Sequence, residues 1–239
     1  MVGILHLPEK EKPPLVIICH GFQNTKGERK YVKLSRYLQK EGILVFRFDF
    51  EGCGDSEGSP RDLTVAREVS DLDRALKAVI QECGIDSKRI AFVGASLGAA
   101  VISLLVINHK IPSKTLVFWS QAFNQRDLFK IWYKEINLEK LIKDGWLSAG
   151  EKEIGKDYYL ENKDKDYSQI LDKIKAPILL IQGGEDKDVP LSFSQKLAKP
   201  HRHRNITLKI LSGANHKFDD FFSQEKLIKL TADWLKKYL

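Results

Sequence analysis

Short, continuous apolar runs recur along the first half of the chain. They lie at residues 15–19, 43–48, 89–93 and 115–119, and each is rich in β-branched or aromatic side chains. Runs of this length without alternation are typical of strands that are buried on both faces of a sheet. A weaker alternating run at residues 2–7 ends at Pro8 and predicts a strand near a sheet edge.

Stretches with apolar residues at helical spacing separate these runs. The first contains Tyr31, Leu34, Tyr37 and Leu38, and Gly42 ends it. A longer stripe consists of Val65, Val69, Leu72, Leu76, Val79 and Ile80, with Thr64 as a candidate N-cap and Gly84 as the stop. Residues 99–106 predict a buried helix. This alternation of strand and helix predicts a parallel sheet that is covered by helices on both faces.

The alternation breaks between residues 121 and 175, where charged and aromatic residues are mixed. A structureless loop of that length is unusual in a compact domain, so we expect a small, mainly helical insertion. The predicted organisation is therefore a core of residues 1–120 and 176–239 with an insertion at 121–175. The insertion is either a lid over a pocket or a simple helical extension. Its aromatic residues either stack on a substrate or, as we favour, form its own core; they include Phe123, Trp132, Tyr133 and Trp146.

The strand and helix pattern resumes after the insertion. Residues 177–182 predict a strand, a helix runs from Pro190 to about residue 198, and residues 206–211 predict the last strand. A final amphipathic helix is predicted at 219–239. The side chains that we expect it to bury are Phe222, Leu227, Leu230, Trp234 and Leu235 or their neighbours.

Composition limits the class of protein. The 239 residues are 43% hydrophobic and 30% charged, which suits a globular α/β protein with a sizeable core. No apolar stretch is long enough to span a membrane, and the first twelve residues lack the features of a signal peptide. Cys19, Cys53 and Cys83 are too few and too widely spaced for a zinc site or a disulfide framework. We expect buried thiols in a reducing compartment, with cytoplasmic localisation as the default.

A formal net charge of +7 raises the question of nucleic-acid binding. Most basic residues are interspersed with acidic ones, which is typical of a solvated surface. The concentrated basic run is His201-Arg202-His203-Arg204, which we interpret as a loop between a helix and a strand. We therefore expect no nucleic-acid partner.

The candidate chemistry centres on the pentapeptide Gly94-Ala95-Ser96-Leu97-Gly98. It joins a predicted buried strand to a predicted buried helix, and Gly-x-Ser-x-Gly acquires its meaning in that context. A very sharp turn forces the serine into an unfavourable backbone conformation, and the two glycines leave room for it. The hydroxyl is then presented at a helix N-terminus, where free N–H groups favour developing negative charge.

Ligands of open parallel sheets bind at the carboxyl ends of the strands. The polar residues predicted at that edge are His20, Asp49, Asp55, Ser56, Ser96, Glu185, Asp186, Asp188 and His216. A serine nucleophile needs a base within hydrogen-bond reach, and the base needs an acid to fix its tautomer. The edge supplies a serine, then an acid at position 186 or 188, then His216, which is the chain order of the α/β-hydrolase triad.

Four motifs resemble the serine esterases of the α/β-hydrolase fold, in particular lid-bearing carboxylesterases of the cinnamoyl and feruloyl esterase type. The motifs are His20-Gly21-Phe22, Gly52-Cys53-Gly54-Asp55-Ser56, residues 94–98 and the acid loop at residues 183–190. The resemblance covers nearly the whole chain. It implies a mostly parallel central sheet with helices on both faces and a small helical lid. Relatives often carry a further strand before the position of Val2, so we expect either that this sheet lacks that edge strand or that the chain is abbreviated.

The resemblance also implies site residues. It selects Asp186 over Asp188 as the acid and His216 as the base for Ser96. The backbone N–H groups of Phe22 and Leu97 are the implied oxyanion hole. The glycine-rich loop at 52–58 does not end in the Gly-Lys-Ser/Thr sequence of a phosphate-binding loop, so we interpret it as structural.

The expected activity is hydrolysis of a small-molecule carboxylic ester through an acyl-enzyme, with no metal and no organic cofactor. A thioesterase or amide hydrolase would use the same triad, and a non-catalytic binding protein of this fold is a further alternative. The sequence does not distinguish a monomer from a homodimer.

Overall fold

The computed structural model describes residues 1–199 and 205–239, so the basic run at 201–204 lies outside the described residues. Within these ranges, seven strands form one sheet and two more form a separate hairpin. The strands are β1 (Gly3–His6), β2 (Leu15–Cys19), β3 (Leu44–Phe48), β4 (Ile90–Ala95), β5 (Ser113–Trp119), β6 (Trp146–Ala149), β7 (Lys152–Gly155), β8 (Ile178–Gly183) and β9 (Ile206–Leu211).

The large sheet has the order β1-β3-β2-β4-β5-β8-β9. Neighbouring strands are parallel, except that β1 pairs antiparallel with β3 at the edge. Because β4 lies at the centre of the sheet, the turn that follows it opens in the middle of the carboxyl edge. This is the place where an open parallel sheet binds ligands.

Eight α-helices and two short 3₁₀ helices accompany these strands in the described part of the chain. The α-helices are α1 (Arg29–Lys40), α2 (Val65–Cys83), α3 (Leu97–Asn108), α4 (Gln125–Trp132), α5 (Leu138–Asp144), α6 (Lys156–Asn162), α7 (Leu191–Leu197) and α8 (Phe221–Tyr238). The 3₁₀ helices are Pro60–Asp62 and Tyr167–Lys173.

The sheet is buried from both sides. One layer of core side chains packs against α2 and α3, and the other packs against α1 and α8. In the second layer the ring of Trp119 on β5 stacks on Tyr31 of α1, with centroids 5.9 Å apart. The Trp119 indole N–H also donates to the hydroxyl of Thr231 on α8 at 3.0 Å. The doubly covered parallel sheet predicted from the apolar runs is confirmed.

Residues 121–175, which we call the insert, lie in the connection between β5 and β8. They comprise α4, α5, the β6–β7 hairpin, α6 and the second 3₁₀ helix, so the insert is helical except for one hairpin that the sequence did not predict. Glu161 on α6 accepts hydrogen bonds from the N–H groups of Val65 and Ala66 at the start of α2, at 2.7 and 3.0 Å. This carboxylate ties the insert to the core at a helix N-terminus that favours negative charge.

Hydrogen bonds also connect the β6–β7 hairpin to the loop after β2. The side-chain amide of Gln23 donates to the Glu153 carbonyl oxygen and accepts from the Glu153 N–H at 3.0 Å, as a neighbouring strand would. Arg61 forms an ion pair with the Glu153 carboxylate at 3.0 Å and lies 3.4 Å over the Trp146 ring. The hairpin is therefore held against the same loop that carries the His20-Gly21-Phe22 motif.

The last helix corrects one prediction. Phe222, which we expected to be buried, is 74% exposed at the start of α8. The buried stripe of this helix consists of Leu227, Ile228, Thr231, Ala232 and Leu235, as well as Ser223 and Gln224. Phe222 points away from that stripe because it is one residue out of register with it. No helix in the described ranges is both long enough and apolar enough to cross a membrane.

Candidate active site

Ser96 occupies a sharp turn between β4 and α3. Its backbone angles are φ 51° and ψ −116°, a conformation that a residue with a side chain rarely adopts. The turn has no room for larger neighbours, since a Cβ atom on Gly98 would lie 2.6 Å from the His20 carbonyl oxygen. A Cβ on Gly94 would lie 2.9 Å from the Ala99 nitrogen. The half-buried Ser96 thus lines a cavity at the carboxyl edge of the sheet.

Asp186 and His216 meet at the carboxyl ends of the adjacent strands β8 and β9. The loop after β8 carries Asp186, and the loop after β9 carries His216. The His216 Nδ1 lies 2.9 Å from Asp186 Oδ2 and 3.1 Å from Oδ1. With Nδ1 as the donor to this carboxylate, the Nε2 atom is left without a proton and is free to act as a base. His216 and Ser96 line the same cavity.

The Asp186 carboxylate is held by several further donors. Its Oδ1 accepts from the N–H groups of Asp188 and Val189 at 3.0 and 2.8 Å. Its Oδ2 accepts from the side-chain amide of Gln182, whose carbonyl oxygen in turn accepts from the Ser194 hydroxyl at 2.7 Å. Asp186 is only 9% exposed. These bonds fix the carboxylate in the orientation that meets His216 and compensate for its burial.

Asp188, the alternative acid, is placed differently. Its side chain is exposed at the cavity rim, and its main chain is engaged through an N–H to Asp186 and a carbonyl oxygen that accepts from Trp132 Nε1 at 2.8 Å. In the structure the His216 ring donates its Nδ1 hydrogen bond to the Asp186 carboxylate. The geometry therefore brings Asp186, rather than Asp188, to the histidine.

The loop after β2 approaches Ser96 closely. A Cβ atom on Gly21 would lie 3.0 Å from the Ser96 Cβ, so glycine is what allows this contact. Gly21 and Phe22 line the cavity beside Ser96. Leu97 is the first residue of α3, so its N–H has no partner within the helix. The expected oxyanion donors, Phe22 and Leu97, thus flank the serine from two separate elements.

His20 serves this loop rather than the reaction. Its Nε2 accepts from the Phe50 N–H at 3.2 Å, so Nδ1 carries the proton and donates to the Gly21 carbonyl oxygen at 2.8 Å. Burial lowers the pKa of His20 to about 4, although its bond to Gly21 works in the opposite direction. The ring is therefore neutral at physiological pH and acts as a fixed support for the loop.

This depressed pKa predicts a pH dependence of stability. Between the ordinary pKa of 6.5 and about 4, the unfolded chain binds a proton at His20 that the folded chain does not. The free energy of unfolding should therefore fall as the pH drops through this range, by roughly 3 kcal/mol from this group. Urea unfolding at pH 7.5 and pH 4.5 should show a smaller loss for His20→Gln than for the wild type. Equal losses in the two proteins would contradict this assignment.

The glycine-rich loop at 52–58 wraps around a buried carboxylate. Asp49 accepts from the Lys26 N–H and ammonium group, both at 2.5 Å, and from the Asp55 N–H at 2.9 Å. Burial alone would raise the pKa of Asp49, but these donors lower it below its ordinary value. Ser56 donates to the Asp49 carbonyl oxygen at 2.7 Å. The polar groups of this loop therefore form hydrogen bonds that fix its conformation, as expected for a structural role.

The cavity has a volume of about 940 Å³. Trp132 and Tyr133 of the insert line it, whereas Phe123 is a core residue whose ring packs edge-on against Phe118. Trp146 lies under the Arg61 guanidinium. All four aromatic residues singled out in the sequence have structural partners, since Trp132 and Tyr133 also pack against Phe129, and these two line the cavity as well.

In the described part of the chain, one group of side chains could ligate a metal ion. Asp186, Asp188 and His216 each offer an atom, and these atoms lie within 4.8 Å of one another. A metal on His216 Nδ1 would compete with the hydrogen bond from that atom to Asp186. The donor set is thus already satisfied as an acid–base pair.

Sequence reasoning missed two groups at this site. Gln182 was interpreted only as the end of a strand; a polar residue that closes an apolar run was the available signal. Lys152 also lines the cavity, yet nothing distinguishes it in sequence from the other charged residues of the insert.

Comparison with known proteins supports this fold. The family model described as serine aminopeptidase, S33, matches residues 10–165. Est1E from Butyrivibrio proteoclasticus, solved with ferulic acid bound, superposes with a TM-score of 0.87 at 22% identity, covering 99% of this chain and 94% of that one. A monoacylglycerol lipase from Paleococcus ferrophilus gives a TM-score of 0.74 at 20% identity, covering 100% and 99%. At such identities the likeness shows the fold alone, and it confirms the predicted α/β-hydrolase fold.

A sequence relative is lysophosphatidylserine lipase ABHD12 from Danio rerio. It is 25% identical over 240 residues, which cover 93% of this chain and 58% of that protein. The chain spans about 60% or less of the length of the curated relatives it matches. The family model, matched over residues 10–165, covers more than half of the chain. The protein is thus a member of the serine aminopeptidase S33 family, a hydrolase family of the α/β-hydrolase fold.

Proposed function

We propose that the protein is a serine hydrolase that cleaves carboxylic esters through an acyl-enzyme intermediate. The observation that carries the proposal is the meeting of Asp186 and His216 at 2.9 Å beside the cavity that Ser96 lines from its strained turn. A nucleophile, a base with the correct free nitrogen and an acid that fixes its tautomer are the parts that acyl transfer requires.

The proposed reaction runs in two halves. His216 Nε2 takes the Ser96 proton as the hydroxyl oxygen attacks the ester carbonyl carbon, and Asp186 stabilises the resulting imidazolium. The tetrahedral intermediate collapses, His216 gives the proton to the leaving alcohol, and an acyl-serine remains. Water, deprotonated by His216, then attacks the acyl-serine, and collapse of the second intermediate releases the acid and restores the Ser96 hydroxyl.

The negative oxygen of both intermediates is assigned to the N–H groups of Phe22 and Leu97. These are main-chain donors held by rigid elements, so they need little reorganisation when charge develops. One such donor typically contributes about 3 kcal/mol to transition-state stabilisation. The close approach at Gly21 supports this assignment, because it brings the loop against Ser96.

The ester class is supported by the proteins to which this chain is similar. Their names include a lysophosphatidylserine lipase and a monoacylglycerol lipase, and one structure holds ferulic acid. The family description, serine aminopeptidase, favours amide hydrolysis as a second candidate. The same triad serves both reactions, so substrate comparison has to separate them.

The test is a stopped-flow comparison of leaving groups. Wild-type protein is mixed with p-nitrophenyl acetate, p-nitrophenyl butyrate, a butyryl thioester and leucine p-nitroanilide. An ester hydrolase should release a burst of p-nitrophenol close to one equivalent whenever deacylation is the slower step, and should show its highest kcat/KM with an oxygen ester. A preference for the anilide would establish the aminopeptidase reaction instead. No turnover of any of the four by folded protein would refute hydrolysis and favour a binding role.

A further inference from the structure

Lys152 lies on β7 of the insert, directly against the expected oxyanion loop. Its ammonium group donates to the Phe22 carbonyl oxygen and lies 5.1 Å from the centre of the Phe22 ring. Lys152 lines the same cavity as Ser96 and His216. A positive charge therefore lies against Phe22 in the lining of the cavity that also holds Ser96.

Lys152 is half-buried, and its charge is not balanced by an ion pair as the charges of the buried lysines are. Lys26 is paired with Asp49 and Asp55, both at 2.5 Å, and Lys30 is paired with Glu28 at 2.6 Å. Within residues 1–199 and 205–239, no carboxylate lies within 4.0 Å of the Lys152 ammonium. Burial lowers the pKa of Lys152 and the Lys217 ammonium lowers it further, whereas the charges of Glu28 and Asp188 act in the opposite direction.

The ammonium group keeps unused hydrogen-bonding capacity. It has three N–H donors, and the bond to Phe22 uses one of them. A cation that has lost part of its water gains most from a negatively charged acceptor, because charge-assisted hydrogen bonds are the strong ones. The acidic residues that line the cavity are Glu135, Glu151 and Asp188, and all three are exposed. Among the described residues, the cavity lining thus includes a cation without an ion-pair partner.

We infer that Lys152 binds an anionic group of the substrate, a carboxylate or a phosphate, carried a few bonds from the ester that Ser96 attacks. This inference rests on the proposed function and names the substrate class of the same site. The position follows from the contact, since Lys152 bonds to the carbonyl of the residue whose N–H is the expected oxyanion donor. Lys217 also lines the cavity, but its side chain is exposed, as those of the acidic lining residues are.

The test compares anionic esters with neutral ones that contain the same ester bond, and hydrolysis is followed by acid release in a pH-stat. In the first pair, monoethyl glutarate carries a carboxylate in its acyl part and ethyl pentanoate does not. In the second pair, butyryl glycerol phosphate carries a phosphate in its alcohol part and glycerol monobutyrate does not. The ratio of kcat/KM, anionic over neutral, should fall at least about tenfold in Lys152→Gln for one of these pairs.

Two further variants separate charge from structure. Glutamine at position 152 keeps a donor for the Phe22 carbonyl without the charge, whereas Lys152→Arg keeps the charge and should retain the preference. Lys140→Gln removes an exposed lysine of α5 and should leave the ratio at the wild-type value. A purely structural role for Lys152 would lower both kcat/KM values together. An unchanged ratio in Lys152→Gln for both pairs would overturn the inference.

A binding measurement keeps this test separate from the proposed chemistry. Calorimetric titration of Ser96→Ala protein with the same four esters needs no turnover. The anionic member should bind at least about tenfold more tightly than its neutral partner, and the difference should vanish in Ser96→Ala/Lys152→Gln. Equal affinities in both proteins would overturn the inference even if Ser96-dependent hydrolysis were found. Loss of hydrolysis alone would count against the proposed function only.

Discussion

Ser96→Ala is expected to lower kcat for p-nitrophenyl butyrate by roughly 10⁶-fold. The reason is that the covalent route disappears, since alanine has no oxygen to attack the carbonyl. A residual acceleration of about 10³-fold over water should remain, because the oxyanion donors and the cavity are main-chain and shape features that the substitution leaves in place. The measurement is steady-state turnover at saturating substrate, with the melting temperature as the check on folding.

The matched control is Ser103→Ala on the same helix. The Ser103 hydroxyl is fully buried and donates to the Ala99 carbonyl oxygen at 2.8 Å, away from the cavity. Its loss should cost about 1 kcal/mol of stability and change kcat less than about threefold. If Ser96→Ala kept most of the wild-type activity, the nucleophile assignment would be wrong.

Asp186→Asn is expected to lower kcat by about 10⁴-fold with little change in the fold. An asparagine can present its NH₂ group to His216 Nδ1, which then has to be the unprotonated nitrogen. The proton moves to Nε2, so the base can no longer accept the Ser96 proton. The loss should appear in kcat more than in KM, because the acid does not touch the substrate.

Asp188→Asn is the control for this variant. The contacts of Asp188 with Asp186 and Trp132 are made by its main chain, which the substitution preserves. Its kcat should stay within about tenfold of the wild type. The opposite ranking, with the larger loss in Asp188→Asn, would make Asp188 the acid and would require the loop after β8 to rearrange in solution.

Much of the fold was predictable because its signals are local. The helix α2 begins after Thr64, whose side chain accepts from the Arg67 N–H at 3.1 Å, and ends at Gly84 in the left-handed conformation with φ 60°. Both features were expected from residue type alone. The buried strands were equally clear, because a strand covered on both faces needs an uninterrupted apolar run.

The insert was less predictable because its structure depends on distant partners. The β6–β7 hairpin is held by Gln23 and Arg61, which belong to other parts of the chain. Phe222 was misplaced for a related reason, since amphipathic spacing does not say where the contact between α8 and the sheet begins. Such contacts follow from tertiary packing, which the local pattern does not encode.

The candidate site, like the fold, was predictable from the sequence only in part. The serine turn was readable from one pentapeptide, whereas the choice between Asp186 and Asp188 depended on a family resemblance. In the structure one carboxylate is buried on His216 and the other is exposed, a difference that the spacing in sequence does not carry. Lys152 was not predicted at all, because its unpaired charge becomes apparent only once its neighbours are known.

Labelling with a fluorophosphonate tests most directly whether Ser96 is an activated nucleophile. This probe reacts covalently with a serine only when a base has activated the hydroxyl. Mass spectrometry of digested wild-type protein should find the phosphonate on the peptide that contains Ser96, and Ser96→Ala should remain unlabelled. An unlabelled wild type with an intact fold, or a label on any other residue, would contradict the mechanism proposed for this protein.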